Sequence, residues 1–280
     1  CPDALAAMFM ILAFLYTLRW LKQPGWKNTI LLAFIYGFGM MTKISCATMA
    51  LITACLFLWK FIKEIKEKRG KKLFLKFIVF GIISLPLGLW YSIRNYIKFG
   101  QPLNYVLEQS KQTTLYTGNK SIIQRIISID IGNWLKTPYA NPWTDYNFPV
   151  YALKSALFGE FSYNIKGIYP ALLLIFATAL AIICAFIIWK AIKTSRKNRY
   201  TKIALASFLI FYANMVYFYI CYPFGCSMDF RYMTFLVVPV GILFGQYMMY
   251  EHKYQYWIRI ICWGYSISSC LMYCLIPVLL

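Results

Sequence analysis

Residues 167–189 read GIYPALLLIFATALAIICAFIIW, a run of 23 residues without a charge, set between Lys166 and Lys190. A helix needs about 20 consecutive apolar residues to cross a bilayer. This run meets that length and is closed by basic residues at both ends. It reads as a membrane span, and the rest of the chain follows the same pattern. Apolar runs at 4–19, 29–42, 44–62, 73–91, 203–221, 232–250 and 257–279 join 166–189 to give about eight crossings. The second and third are short and abut at Met41–Ile44. The fold expected is all-α: a polytopic transmembrane helical bundle.

Composition excludes most other classes. Of 280 residues, 61% are hydrophobic and 14% charged, against roughly 25% charged in soluble domains. A cytosolic globular enzyme and a disordered chain are both excluded. The net charge of +20 comes from 29 Lys and Arg against 9 Asp and Glu. In a soluble protein that excess would point to nucleic acid. Here the charges lie between apolar runs, which is the bias of basic residues toward cytoplasmic loops.

The same bias sets the orientation. Nineteen of the 29 fall in one set of short loops: Arg19 to Lys27, Lys60 to Lys76, Lys190 to Lys202, and Lys253 with Arg259. The other set holds ten: Lys43, eight spread over Arg94–Lys166, and Arg231. The first set is assigned to the cytoplasm. Asp3, Thr42-Lys43, the 92–165 segment and the 222–231 turn then share the outer face. The 92–165 segment is the one sizeable polar region. It carries turn residues (Gly100, Pro102, Gly118, Pro138, Pro142, Pro149), interfacial aromatics, and two short helices expected near 119–130 and 150–159. A segment this long with its own helices is expected to act as an outer lid within a single 1–280 domain.

The nine cysteines lie mostly inside apolar runs and read as small buried residues. A Cys221–Cys226 disulfide is left open. His252 is the one histidine, and no Cys/His spacing supports a metal site. Opening on Cys1, with no charged segment before the first apolar run, the chain reads as a fragment lacking its start; a lipoprotein-type cysteine is the alternative.

Four short motifs carry possible chemistry. Asp3 stands at the mouth of the first span, either as a helix N-terminal acid or as a carboxylate held at the membrane boundary for general-base work. Gly39-Met-Met-Thr42-Lys43 places one lysine between two apolar segments, as a snorkelling side chain or as an ammonium contacting an anionic headgroup. Trp90-Tyr-Ser-Ile-Arg94-Asn95, followed by Phe99-Gly100-Gln-Pro102, puts a guanidinium where outer loops are usually poor in arginine, and guanidinium suits bidentate phosphate binding. In Asp229-Phe-Arg231-Tyr232 the charges either neutralise each other, or Arg231 and Tyr232 face a phosphate while Asp229 positions them.

In their order, these motifs resemble those of the GT-C glycosyltransferases, in particular the bacterial members related to protein O-mannosyltransferases and lipid A aminoarabinose transferases. The resemblance covers nearly the whole chain. It implies transfer of a sugar from a polyprenyl-phosphate donor to a lipid, glycan or protein acceptor hydroxyl, in a multi-pass protein of a bacterial-type plasma membrane and on the face away from the cytosol. By the same resemblance Asp3 matches the second acidic position of the family and is the catalytic candidate. Lys43 matches the lysine of the threonine-lysine motif. Arg94, Arg231 and Tyr232 fall where donor-phosphate contacts are expected, with Asn95 and Asp229 supporting them. The family's leading acidic motif has no counterpart in this sequence, so the principal general base is not assigned and the fragment alone is expected to be inactive. Some relatives use a divalent cation and others do not, and no cofactor or metal is assigned. No nucleic acid partner is expected. A transporter or flippase for an anionic lipid or solute is the alternative. It would show ionisable residues at span centres, whereas here they gather at span ends.

Overall fold

The computed structural model describes residues 2–279 apart from 69, 103–105, 107–108, 129–133, 135–136, 161–167, 195–197 and 251–252, with backbone only for 275–279. Cys1 and His252 lie outside the described residues, as do parts of the expected 119–130 helix and 166–189 span. The described residues are helical wherever they are regular, without a strand. Five helices are long and apolar enough to cross a membrane: Pro2–Lys22, Ile44–Lys66, Gly70–Phe99, Ile168–Thr194 and Arg199–Cys221. This is a membrane protein of all-helical fold.

The chain divides into two compact units, Cys1–Glu108 and Gln109–Leu280. The first holds α1 (Pro2–Lys22), α2 (Trp26–Thr42), a 3₁₀ turn at Ile44–Cys46, α3 (Ala47–Lys66) and α4 (Gly70–Phe99). Pro24 and Gly25 separate α1 from α2, and α2 packs chiefly on α4 and α1. Small residues allow that approach: a Cβ on Gly37 would stand 2.7 Å from Leu87 Cβ. Close contact between small residues replaces the hydrophobic drive that lipid removes from helix association. Polar side chains add interhelical hydrogen bonds. Thr17 and Thr53 hydroxyls lie 2.8 Å apart, Tyr36 bonds Thr53 and the Met49 carbonyl, and Trp20 Nε1 donates to Thr29 Oγ1 at 2.8 Å. Around them stack Trp20, Phe57, Phe77 and Phe80. The outward faces stay apolar, with Leu51, Leu58, Ile62, Ile82 and Leu85 all exposed, as a lipid-facing surface requires.

Helix α4 runs further than its apolar core. The sequence places the span end near residue 91, yet the helix continues through Arg94 to Phe99 and stops at Gly100, whose φ of +63° suits glycine. Nothing before Gly100 breaks the backbone except Pro86, which the helix accommodates.

The second unit holds α5 (Ile122–Ile126), α6 (Phe148–Phe158), α7 (Ile168–Thr194), α8 (Arg199–Cys221), α9 (Val237–Met248) and α10 (Gln255–Leu279). Ser121 and Gln124 form a capping box on α5, and Asn147 caps α6 ahead of Pro149. Helix α10 packs on α7, and α9 on α8 and α7. Between α8 and α9 the chain passes through three 3₁₀ turns, Gly225–Met228, Phe230–Tyr232 and Thr234–Leu236. The α-helix therefore begins at Val237, later than the 232 expected from hydropathy. Pro239 falls in its first turn, where a missing N–H costs no helix bond.

Candidate functional site

In the first unit Asp3 lies in the opening turn of α1, and Lys43 is the residue that ends α2. Lys43 is extended (φ −158°, ψ 126°), which closes α2 through its own N–H to Gly39 O and starts the 3₁₀ turn through its carbonyl to Cys46 N. That break releases the side chain from the helix surface. Its ammonium forms an ion pair with Asp3 Oδ1, and the two side chains are 23% and 16% exposed. Cys46 Sγ reaches Ala6 O at 3.7 Å, which ties the start of α1 to the same corner. Thr42 turns its hydroxyl back to Phe38 O of its own helix at 2.8 Å. The threonine of the pair thus supports the helix end, and the lysine does the reaching.

Arg94 and Asn95 lie in the same unit. Gly88 meets Met40 at the α2–α4 contact, and Arg94 is six residues further along α4, roughly 9 Å. Arg94 therefore sits at the end of the unit that carries Lys43. Its Nη1 donates to Asn95 Oδ1 at 3.3 Å, and one turn earlier the rings of Trp90 and Tyr91 meet edge to face.

In the second unit Asp229 and Arg231 sit in the 3₁₀ turns before α9. Asp229 is 3% exposed and accepts Arg231 N–H at 2.8 Å, capping the turn that presents Arg231. The guanidinium pairs with Glu160 (Nη2 to Oε1, 2.8 Å), lies 4.0 Å from Asp229 Oδ2 through Nε, and rests 5.1 Å from the Tyr232 ring centroid. Nη2 also reaches Tyr232 Oη at 3.5 Å. Burial opposes the charge on Arg231, but Tyr232, Asp229 and Glu160 outweigh it and raise the pKa. Arg231 Nε is buried without a hydrogen-bond partner.

Helix α6 forms the wall behind this turn. Ser155 Oγ accepts from Phe230 N at 2.9 Å, and Gly225 lies so close to Pro142 that a Cβ would stand 2.3 Å from the Pro142 carbonyl oxygen. Lys154, fully buried, places Nζ 3.1 and 3.3 Å from the two oxygens of Asp145, whose Oδ2 also accepts Asn141 N–H at 3.0 Å. Tyr151 is fully buried with an unpartnered hydroxyl. Burial pushes its pKa up, and the negative charge of Asp229, Glu160 and Asp145 adds to that. Arg125 of α5, also buried, donates to Tyr219 O at 3.2 Å and covers the Tyr219 ring.

Lys154, Asp145, Tyr151 and Glu160 are thus site residues that the sequence motifs do not single out. One signal was available: Lys154 is the only charge in the otherwise apolar helix FPVYALKSALF, and a lone charge in such a helix requires a partner. Cys221 and Cys226 are both free thiols. Among the described residues no three His, Cys, Asp or Glu side chains gather as a metal site would require.

No known family, curated protein or solved structure matches the chain. What the two clusters offer is fixed cations beside carboxylates, the first where α1 begins and α2 ends and the second in the turns between α8 and α9. Such an arrangement can hold an anionic group and accept a proton beside it.

Proposed function

We propose that the protein is a multi-pass glycosyltransferase of the GT-C kind, in a bacterial-type plasma membrane. It moves a sugar from a polyprenyl-phosphate donor to an acceptor hydroxyl on the face away from the cytosol. The observation that carries this reading is the Asp3–Lys43 ion pair, which joins two motifs forty residues apart into one acid–cation unit at a helix end. About eight spans are proposed, with α2, α9 and α10 added to the five long helices. The 92–165 segment is proposed as an outer lid.

In the resting protein Lys43 neutralises Asp3. A donor phosphate competes for Lys43 and leaves the Asp3 carboxylate to the acceptor. The acceptor oxygen then attacks the anomeric carbon and its bond to the phosphate oxygen breaks. The acceptor proton passes to a carboxylate, and polyprenyl phosphate departs with the bonding pair. Single displacement inverts the anomeric centre. Lys43 and Arg94 stabilise the leaving charge, the role for which preorganised cations are most effective. Asn95 holds Arg94, while Asp229 and Tyr232 hold Arg231. Because the lipid carries the activated sugar, no nucleotide-binding loop is needed.

The test is transfer of radiolabel from polyprenyl-phosphate sugars in membranes carrying the full-length protein. Label should pass to an acceptor at a rate that Lys43→Ala lowers at least tenfold. Equal transfer with and without Lys43 contradicts the reading.

A further inference from the structure

The last turn of α7 carries Lys193 beside Lys190, and the first turn of α8 carries Arg199 and Lys202, with no acidic residue in that turn. Between these helix ends and the end of α9 lies a cavity of about 530 Å³, within the ~300–1,000 Å³ of ligand pockets. Its floor is apolar: Ile187 and Leu243 belong to the core that α7 and α9 build with Ala204. Its rim is polar, formed by Lys190, Asn198, Thr201 and Gln246. Lys190 Nζ lies 4.7 Å from the Tyr247 ring centroid, which seats the ammonium on the cavity wall. Thr201 donates to Gln246 Oε1 at 2.7 Å, so the amide oxygen is engaged and the amide nitrogen, a donor, remains on the rim. Among the described residues the cavity has one charged lining residue, Lys190, and it is a cation.

We infer that this cavity binds one anionic phospholipid, with the phosphate at Lys190 and Gln246 and an acyl chain over Ile187 and Leu243. The inference rests on α7 and α8 crossing the membrane, and not on the transferase reading. Two span ends place the cavity at the bilayer surface, where a headgroup and the start of its chains lie at one depth. The apolar floor gives a free hydrophilic anion nothing, and the Lys190 ammonium gives a zwitterionic lipid less than an anionic one. Basic pockets between spans recognise anionic headgroups by this combination.

Native mass spectrometry of the full chain released from detergent, with phosphatidylglycerol or phosphatidylcholine added, tests the proposal. Phosphatidylglycerol should remain bound at least fivefold more than phosphatidylcholine. Lys190→Ala should lower retention about fivefold, the effect of one basic residue near an anionic surface, and Lys190→Arg should keep it. Lys190 is exposed, so its loss leaves the fold intact. Lys193 lies on the Trp189 ring at 3.8 Å and does not line the cavity, so Lys193→Ala should change nothing. Equal retention of the two lipids overturns the proposal. So does equal loss in Lys190→Ala and Lys193→Ala, which marks diffuse surface charge, or displacement by glycerol 3-phosphate alone, which marks a site for free anions.

Discussion

The ammonium of Lys154 lies 3.1 and 3.3 Å from the two carboxylate oxygens of Asp145, and the side chains of this pair are 0% and 4% exposed. Nine residues apart in sequence, they lock the start of the segment 145–158 to the middle of α6. Because α6 also accepts Phe230 N–H through Ser155, the pair fixes the wall against which Arg231 is presented.

Breaking that pair takes the counter-ion from a buried charge. Lys154→Met and Asp145→Asn should each destabilise the second unit by about 3–5 kcal/mol, read as a fall in unfolding temperature in detergent. The double variant should recover much of the loss, short of the Asn141 N–H bond. If each single change costs under about 1 kcal/mol, the pair is not a structural lock.

How much of this was legible in the sequence differs by kind of signal. The helices at the expected spans follow from hydropathy, because a segment such as 167–189 has no other stable form in a bilayer. Charge bias placed Asp3 and Lys43 at one level, and the ion pair is the consequence. The Lys154–Asp145 pair was legible only in half: the single charge in the apolar helix FPVYALKSALF calls for a partner, but nothing local in the sequence names Asp145 as that partner. The extension of α4 to Phe99 escaped for a related reason: hydropathy marks where a lipid-suited segment ends, not where the helix ends.

Tyr151 gives a pH signature. Its folded pKa is raised by burial, while in the unfolded chain a tyrosine titrates near 10. The folded state therefore holds its proton more tightly, and stability is flat in this term below pH 10 and falls as pH rises above it. Tyr151→Phe removes the term. Its unfolding temperature should match or exceed the parent's at pH 7, since a buried unpaired hydroxyl is lost, and should decline less between pH 10 and 11. An identical alkaline decline in both proteins would show that Tyr151 is not held neutral.

The proposed topology rests on the distribution of basic residues. In a chain whose native cysteines are replaced, Asn119→Cys should react with a membrane-impermeant maleimide from outside intact cells. Thr194→Cys should react only after the membrane is opened. Both positions are exposed. Reversed accessibility would place the Asp3–Lys43 corner in the cytosol and remove the basis for an outer-face donor site.

The most direct measurement is transfer turnover in Asp3→Asn of the full-length protein, with a radiolabelled polyprenyl-phosphate sugar and membrane insertion checked in parallel. Asparagine caps a helix about as well as aspartate, so a structural role survives the change and a proton-accepting or charge-pairing role does not. Positioned bases contribute about 10²- to 10⁴-fold. In the proposed site Asp3 is paired with Lys43, and the account predicts a fall of about 10²-fold with insertion unchanged. Turnover within twofold of the parent would make Asp3 a helix cap alone and contradict the account.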